Sequence, residues 1–143
     1  MLTKAQYCFL KDFVRKTKKN RKMDLQLREL NRAKINVSQM EKLLIAHPKL
    51  CLFGPYNNMY EEDEIKGTML IEYIEIYLKE VGLSDCIERF ASTYYGVTII
   101  GIKAIEEFVV ERTHKLRLPI ISIAISLAAI AISIIVLCLN KGA

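Results

Sequence analysis

"LRLPIISIAISLAAIAISIIVLCLNKGA", residues Leu116–Ala143, decides how this chain is read. From Leu118 to Leu139 it holds 22 residues without a charged side chain. As an α-helix such a run is roughly 33 Å long at about 1.5 Å per residue, enough for a hydrocarbon core roughly 30 Å thick. Its eight Ile, four Leu and one Val favour insertion, each by roughly 0.3–0.6 kcal/mol. Three serines and one proline weaken that preference without reversing it. Ile and Val suit strands in water, but a lone strand in lipid leaves its backbone unpaired, and a helix pairs it internally. A buried helix of a soluble core is the weaker reading, because soluble helices of this length keep a polar face.

A transmembrane helix is therefore expected over 118–139, with Pro119 in its first turn, where a missing N–H costs nothing. Arg112, Lys115 and Arg117 flank it on the amino side and Lys141 on the other. The positive-inside rule then leaves residues 1–117 in the cytoplasm. Residues 140–143 form a short tail, so the span reads as a tail anchor on a single-pass protein.

Residues 1–117 hold twenty of the twenty-one Lys and Arg and all sixteen Asp and Glu, a net charge of +4. That balance selects no partner. Cys8, Cys51, Cys86 and Cys138 form no CxxC pair, and Cys138 lies in the apolar run. Buried thiols in a reducing compartment fit better than a disulfide framework. Lys4, Gln6, Lys11 and Asp12 interrupt the apolar residues of the first thirteen positions, which argues against a secretory signal peptide.

Thr3-Lys4-Ala5-Gln6 matches a capping box, and Tyr7, Leu10, Phe13 and Val14 follow at helical spacing, so a helix is expected over Lys4–Thr17. A second is expected over Asp24–Lys34, with Leu25, Leu27, Leu30 and Ala33 apolar. Ser38-Gln39-Met40-Glu41 reads as another capping box, opening a short helix that Pro48 closes. "CLFGPYNNMYEEDEIKG" (51–67) has the turn signals of a loop. "TMLIEYIEIYLKEVG" (68–82) is a helix ending at a C′ glycine, with Leu70, Tyr73, Ile74, Tyr77 and Val81 on one face and Glu72, Glu75 and Lys79 on another. "LSDCIERF" and "TYYGVTI" read as two short strands joined through Ala91 and Ser92. Gly101–Arg112 is a last amphipathic helix, with Ile102, Ile105, Phe108 and Val109 inward.

Residues 71–108 resemble the second half of a bacterial winged-helix domain. Gly82-Leu83 stands where the wing begins. Tyr95, Val97, Thr98, Gly101, Ala104, Ile105, Glu106 and Glu107 then fit the pattern Y-x-V-T-x-x-G-x-x-A-I-E-E that opens the closing helix. The match covers about a third of the chain. With the apolar tail it is similar to uncharacterised bacterial tail-anchored proteins. The resemblance implies a mostly α module with a short β-hairpin, followed by one transmembrane helix. A DNA-reading helix presents Lys, Arg or neutral polar side chains to phosphates. Glu72, Glu75 and Glu80 against a single Lys79 would repel them, so a protein partner is expected before nucleic acid.

"RKTKKNRK", Arg15 to Lys22, is the sharpest electrostatic feature. Arg15, Lys16, Lys18, Lys19, Arg21 and Lys22 read either as a solvated interhelical loop or as a contact to an anionic surface, lipid headgroups or nucleic acid, together with Lys115 and Arg117. Near anionic lipid each cation contributes roughly 1 kcal/mol. His47 and Cys51 lack further ligands at predictable spacing, and Glu61 to Glu64 lack the alternation of a calcium loop. No catalytic, metal or cofactor motif occurs, so an enzyme is not expected. Within the span Ser122, Ser126, Ala129 and Ser133 share one side, which reads either as the common Ala and Ser filler of such spans or as the small face through which transmembrane helices associate. The expected function is a non-enzymatic, membrane-anchored module that binds a protein partner or senses a signal. The alternatives are a membrane-permeabilising effector that oligomerises through its span, and a membrane-tethered DNA-binding regulator.

Overall fold

Thr3 opens the first helix as its sequence anticipates. In the computed structural model, which describes residues 1–25, 28, 33–50, 68–90 and 93–142, Thr3 Oγ1 accepts from the Gln6 N–H at 3.2 Å and Gln6 Oε1 accepts from the Thr3 N–H at 2.8 Å. Helix α1 spans Lys4–Met23, well beyond the expected end at Thr17. Lys and Arg are good helix formers, and Arg21 and Lys22 in the last turn complement its negative end. Thr17 is buried and donates to the Val14 carbonyl at 2.8 Å. The basic run is thus the second half of a helix and not an interhelical loop.

The helix expected over 24–34 lies largely outside the described residues. At its far end Ala33 and Lys34 are not helical, and Ile35–Asn36 form strand β1. Two residues are too few for any periodicity, so only their pairing reveals them. Helix α2, Val37–Ala46, is capped by Asn36 and not by Ser38. Asn36 Oδ1 accepts from the Gln39 N–H at 2.8 Å and Gln39 Oε1 accepts from the Asn36 N–H at 3.2 Å, the same reciprocal box two residues earlier. It ends at His47, before Pro48, as expected. The loop expected over 51–67 lies outside the described residues.

Helix α3, Thr68–Glu80, buries Leu70, Ile74, Tyr77 and Leu78. Its end is a Schellman turn: Leu83 N–H donates to the Leu78 carbonyl at 2.9 Å and Gly82 N–H to the Lys79 carbonyl at 3.2 Å. Gly82 has φ 74°, which a side chain would resist. Strands β2, Ile87–Phe90, and β3, Tyr94–Val97, follow as the expected hairpin. The sheet is antiparallel in the order β1-β3-β2, with Ile35 opposite Tyr95 and Ile87 opposite Val97.

Helix α4 runs without interruption from Ile99 to Lys141. Two expectations fail along it. Ile102 and Val109 are exposed, and the side that packs on the core carries Gly101, Ala104 and Ile105. Pro119 is internal and not in a first turn, so the Lys115 carbonyl lacks an N–H four residues on. The chain divides within this helix into two units, Met1–Phe108 and Val109–Ala143. The first holds the hydrophobic core of the described residues, which includes Phe9, Leu10 and Phe13 of α1, Ile35 of β1, Met40, Leu43 and Leu44 of α2, the buried face of α3, Leu83, Ile87 and Tyr95. Gln6 Nε2 donates to the Val81 carbonyl at 2.6 Å, and Tyr7 stacks on Phe108 at 4.4 Å, tying α1 to the ends of the chain segments packed around it.

Candidate membrane-contacting surfaces

The second unit is the apolar part of α4. It contains an 18-residue window of mean hydropathy 2.9, none of it buried, and is the single candidate membrane span among the described residues. A core helix would have its apolar face covered, and here Ile120, Ile123, Leu127, Ile130, Ile134 and Leu137 are all exposed. Ser126 Oγ donates to the Ser122 carbonyl and Ser133 Oγ to the Ala129 carbonyl, both at 2.9 Å. Those bonds satisfy two hydroxyl protons within the helix, as a lipid environment requires. At the amino end Lys115 pairs with Glu111 at 2.6 Å and Arg117 is exposed.

The basic run lies in the first unit, on α1. Arg15, Lys18, Lys19, Arg21 and Lys22 are exposed and Lys16 is half-buried. Arg15 lies 3.4 Å from Asp12. Arg28 donates to the Lys22 carbonyl. Lys11, outside the run of Arg15 to Lys22, is also exposed on this helix. Spacing from Lys11 to Arg15, Lys18 and Lys22 was the signal that could have found it.

His47 Nε2 lies 2.9 Å from Asp12 Oδ2 and the ring meets Phe9 edge-on at 5.5 Å. It borders a recess of about 470 Å³ between Lys4, Cys8 and Leu50. No cluster of three or more His, Cys, Asp or Glu suited to a metal ion occurs among the described residues. Cys51 and Glu61 to Glu64 lie outside them. Burial, with Asp85 beside it, pushes the Cys86 thiol up, which makes it a poor nucleophile at neutral pH. On the outer face of α3, Glu75 is paired with Arg89 of β2 at 2.6 Å. Glu72 and Glu80 are exposed. Lys34 is buried with its Nζ 4.2 Å from the centre of the Phe90 ring. Neither of those last two contacts has a signal in the sequence, because each joins residues distant along the chain.

Tyr95 is 1% exposed, and its hydroxyl has no hydrogen-bond partner among the described residues. Burial, followed by the charge of Glu75, pushes it up to about 12. An acid held protonated in the folded state leaves stability intact below the unfolded value of about 10. Stability then falls as pH rises toward about 12. Tyr95→Phe removes both that loss and an unpaired buried hydroxyl, which costs about 1–3 kcal/mol. The variant should equal or exceed the wild type at neutral pH and lead by more at pH 11. A variant less stable than wild type at both pH values in urea titrations would show that the hydroxyl is bonded.

Compared with family models, curated proteins and solved structures, the chain matches none.

Proposed function

We propose that this protein is a non-enzymatic, single-pass membrane protein whose residues 1–108 form a cytoplasmic, winged-helix-like module that binds a protein partner or senses a signal at an inner membrane. The observation that carries the reading is the pairing of a unit with its own hydrophobic core and a helix whose apolar surface is uncovered. The order α1-β1-α2-α3-β2-β3, with β1 outside β3, supports the winged-helix resemblance. One feature favours a protein over DNA as partner: the exposed side of α3 is acidic. The asymmetry of Arg112, Lys115 and Arg117 against Lys141 supports the orientation. A tag fused at Met1 should resist protease added to intact cells and become sensitive on lysis. Cleavage without lysis overturns it.

A second reading, an effector that permeabilises the bilayer as an oligomer, is favoured by one observation. Ser122, Ser126, Ala129 and Ser133 lie along one side of α4, and two of their hydroxyls are folded back on their own backbone. That side is small enough for close helix approach. Replacing Ser126 and Ala129 together by Leu should preserve insertion, reduce crosslinking in native membranes and abolish any growth arrest on induced expression. Unchanged crosslinking, or a monomeric wild type, removes this reading.

A further inference from the structure

Phe9, Phe13 and Thr17 are buried along one side of α1, so the opposite side faces solvent. Lys11, Arg15, Lys18 and Lys22 succeed one another on that outer side at intervals of four, three and four, with Lys19 beside them, and all five are exposed. Their Cα atoms cover roughly 17 Å of helix. The acid within this stretch, Asp12, is half-buried and turned to His47 and Arg15. Where the stripe ends, Met23 is 75% exposed and Leu25 68%. With Tyr94 of β3 they edge a recess of about 440 Å³ that Asn20, Asp24, Asn36 and Gln39 also line, so one exposed carboxylate, Asp24, stands between the two apolar side chains. Two large apolar side chains standing in water beside dense cations are the composition of an interfacial segment, apolar groups for the acyl boundary and cations for phosphates.

We infer that this end of α1 docks on an anionic lipid bilayer, with Lys11, Arg15, Lys18, Lys19 and Lys22 against headgroup phosphates and Met23, Leu25 and Tyr94 in the headgroup–acyl boundary. Charge complementarity selects an anionic surface, and the apolar tip selects a bilayer over a nucleic acid, whose phosphate backbone gains nothing from Met or Leu. The run itself interleaves no aromatic residue for base stacking. The inference rests on the anchored reading, which keeps a bilayer at high effective concentration beside the module.

The sequence contains no tryptophan, so Met23→Trp makes a sole reporter in the full chain. The variant is reconstituted into vesicles of phosphatidylcholine alone or mixed with phosphatidylglycerol. Both leaflets share one composition, so orientation does not affect the result. In the anionic vesicles emission should shift to shorter wavelength and be quenched by brominated acyl chains. Both effects should vanish in high salt, in the neutral vesicles, and when Lys18, Lys19 and Lys22 are all replaced by Glu. Ile76→Trp, on the exposed side of α3, should emit alike in both lipids. Emission from Met23→Trp that is indifferent to lipid charge, or quenching of Ile76→Trp to the same degree, overturns the docking. So does a response to duplex DNA in neutral vesicles without a response to anionic lipid. Failure of the anchor itself is separate: the protein would then leave the vesicles in alkaline carbonate.

Discussion

Arginine at both Leu127 and Ile130 releases the protein from membranes into the alkaline carbonate supernatant, while the wild type stays in the pellet. Each Arg near the middle of a span costs about 2.5–3.5 kcal/mol and forfeits the contribution of the aliphatic side chain it replaces. The pair therefore costs about 6–8 kcal/mol. The thirteen Ile, Leu and Val of the span together favour insertion by about 4–8 kcal/mol on the same scale. The two terms cancel, and insertion fails. Both positions are exposed and lie outside the core of residues 1–108, so the folded module should survive the change. Its far-ultraviolet dichroism in detergent serves as the control. Retention of the double variant in the pellet would show that something other than this helix holds the protein to the membrane.

Gly101→Ala lowers the melting temperature of the full chain in detergent by about 10 °C. Thr98 caps α4: its Oγ1 donates to the Asp85 carbonyl at 2.6 Å and accepts from the Gly101 N–H at 3.1 Å. The cap brings the first turn of the helix against the strand. A Cβ on Gly101 would stand 2.5 Å from the Cys86 carbonyl oxygen and 2.8 Å from Val97 Cγ2. The carbonyl cannot yield freely, because it accepts from the Thr98 N–H at 2.9 Å. Alanine gains about 1 kcal/mol of helix propensity over glycine, and overpacking against backbone exceeds that. A net loss of about 2 kcal/mol corresponds to about 8–16 °C for a domain of this size. Gly142→Ala is the contrast, since its Cβ would meet nothing closer than 3.7 Å and should leave the transition unmoved. A Gly101→Ala variant as stable as the wild type would disprove the close approach.

Some of this molecule was determined by sequence alone. The apolar run, the Thr3 capping box, the stop before Pro48, the Gly82 turn and the buried face of α3 are all local features. Each follows from side-chain period, cap chemistry or backbone freedom within a few residues, and tertiary context did not override them. The resemblance pattern around Thr98 and Gly101 was legible as letters, but its reason is a helix end pressed on the Cys86 carbonyl, which no single segment contains. Tertiary structure decided the rest. β1 exists because Ile35 and Asn36 find β3, and the helical extent of the basic run depends on Thr17 finding a place in the core. The inward side of α4 is not legible at Ile102 and Val109, because apolar residues surround the helix and only packing against the folded module selects which of them are covered. The cationic stripe with its apolar tip is likewise assembled from α1, the residues after it and β3, brought together by the same pairing that buries Tyr95.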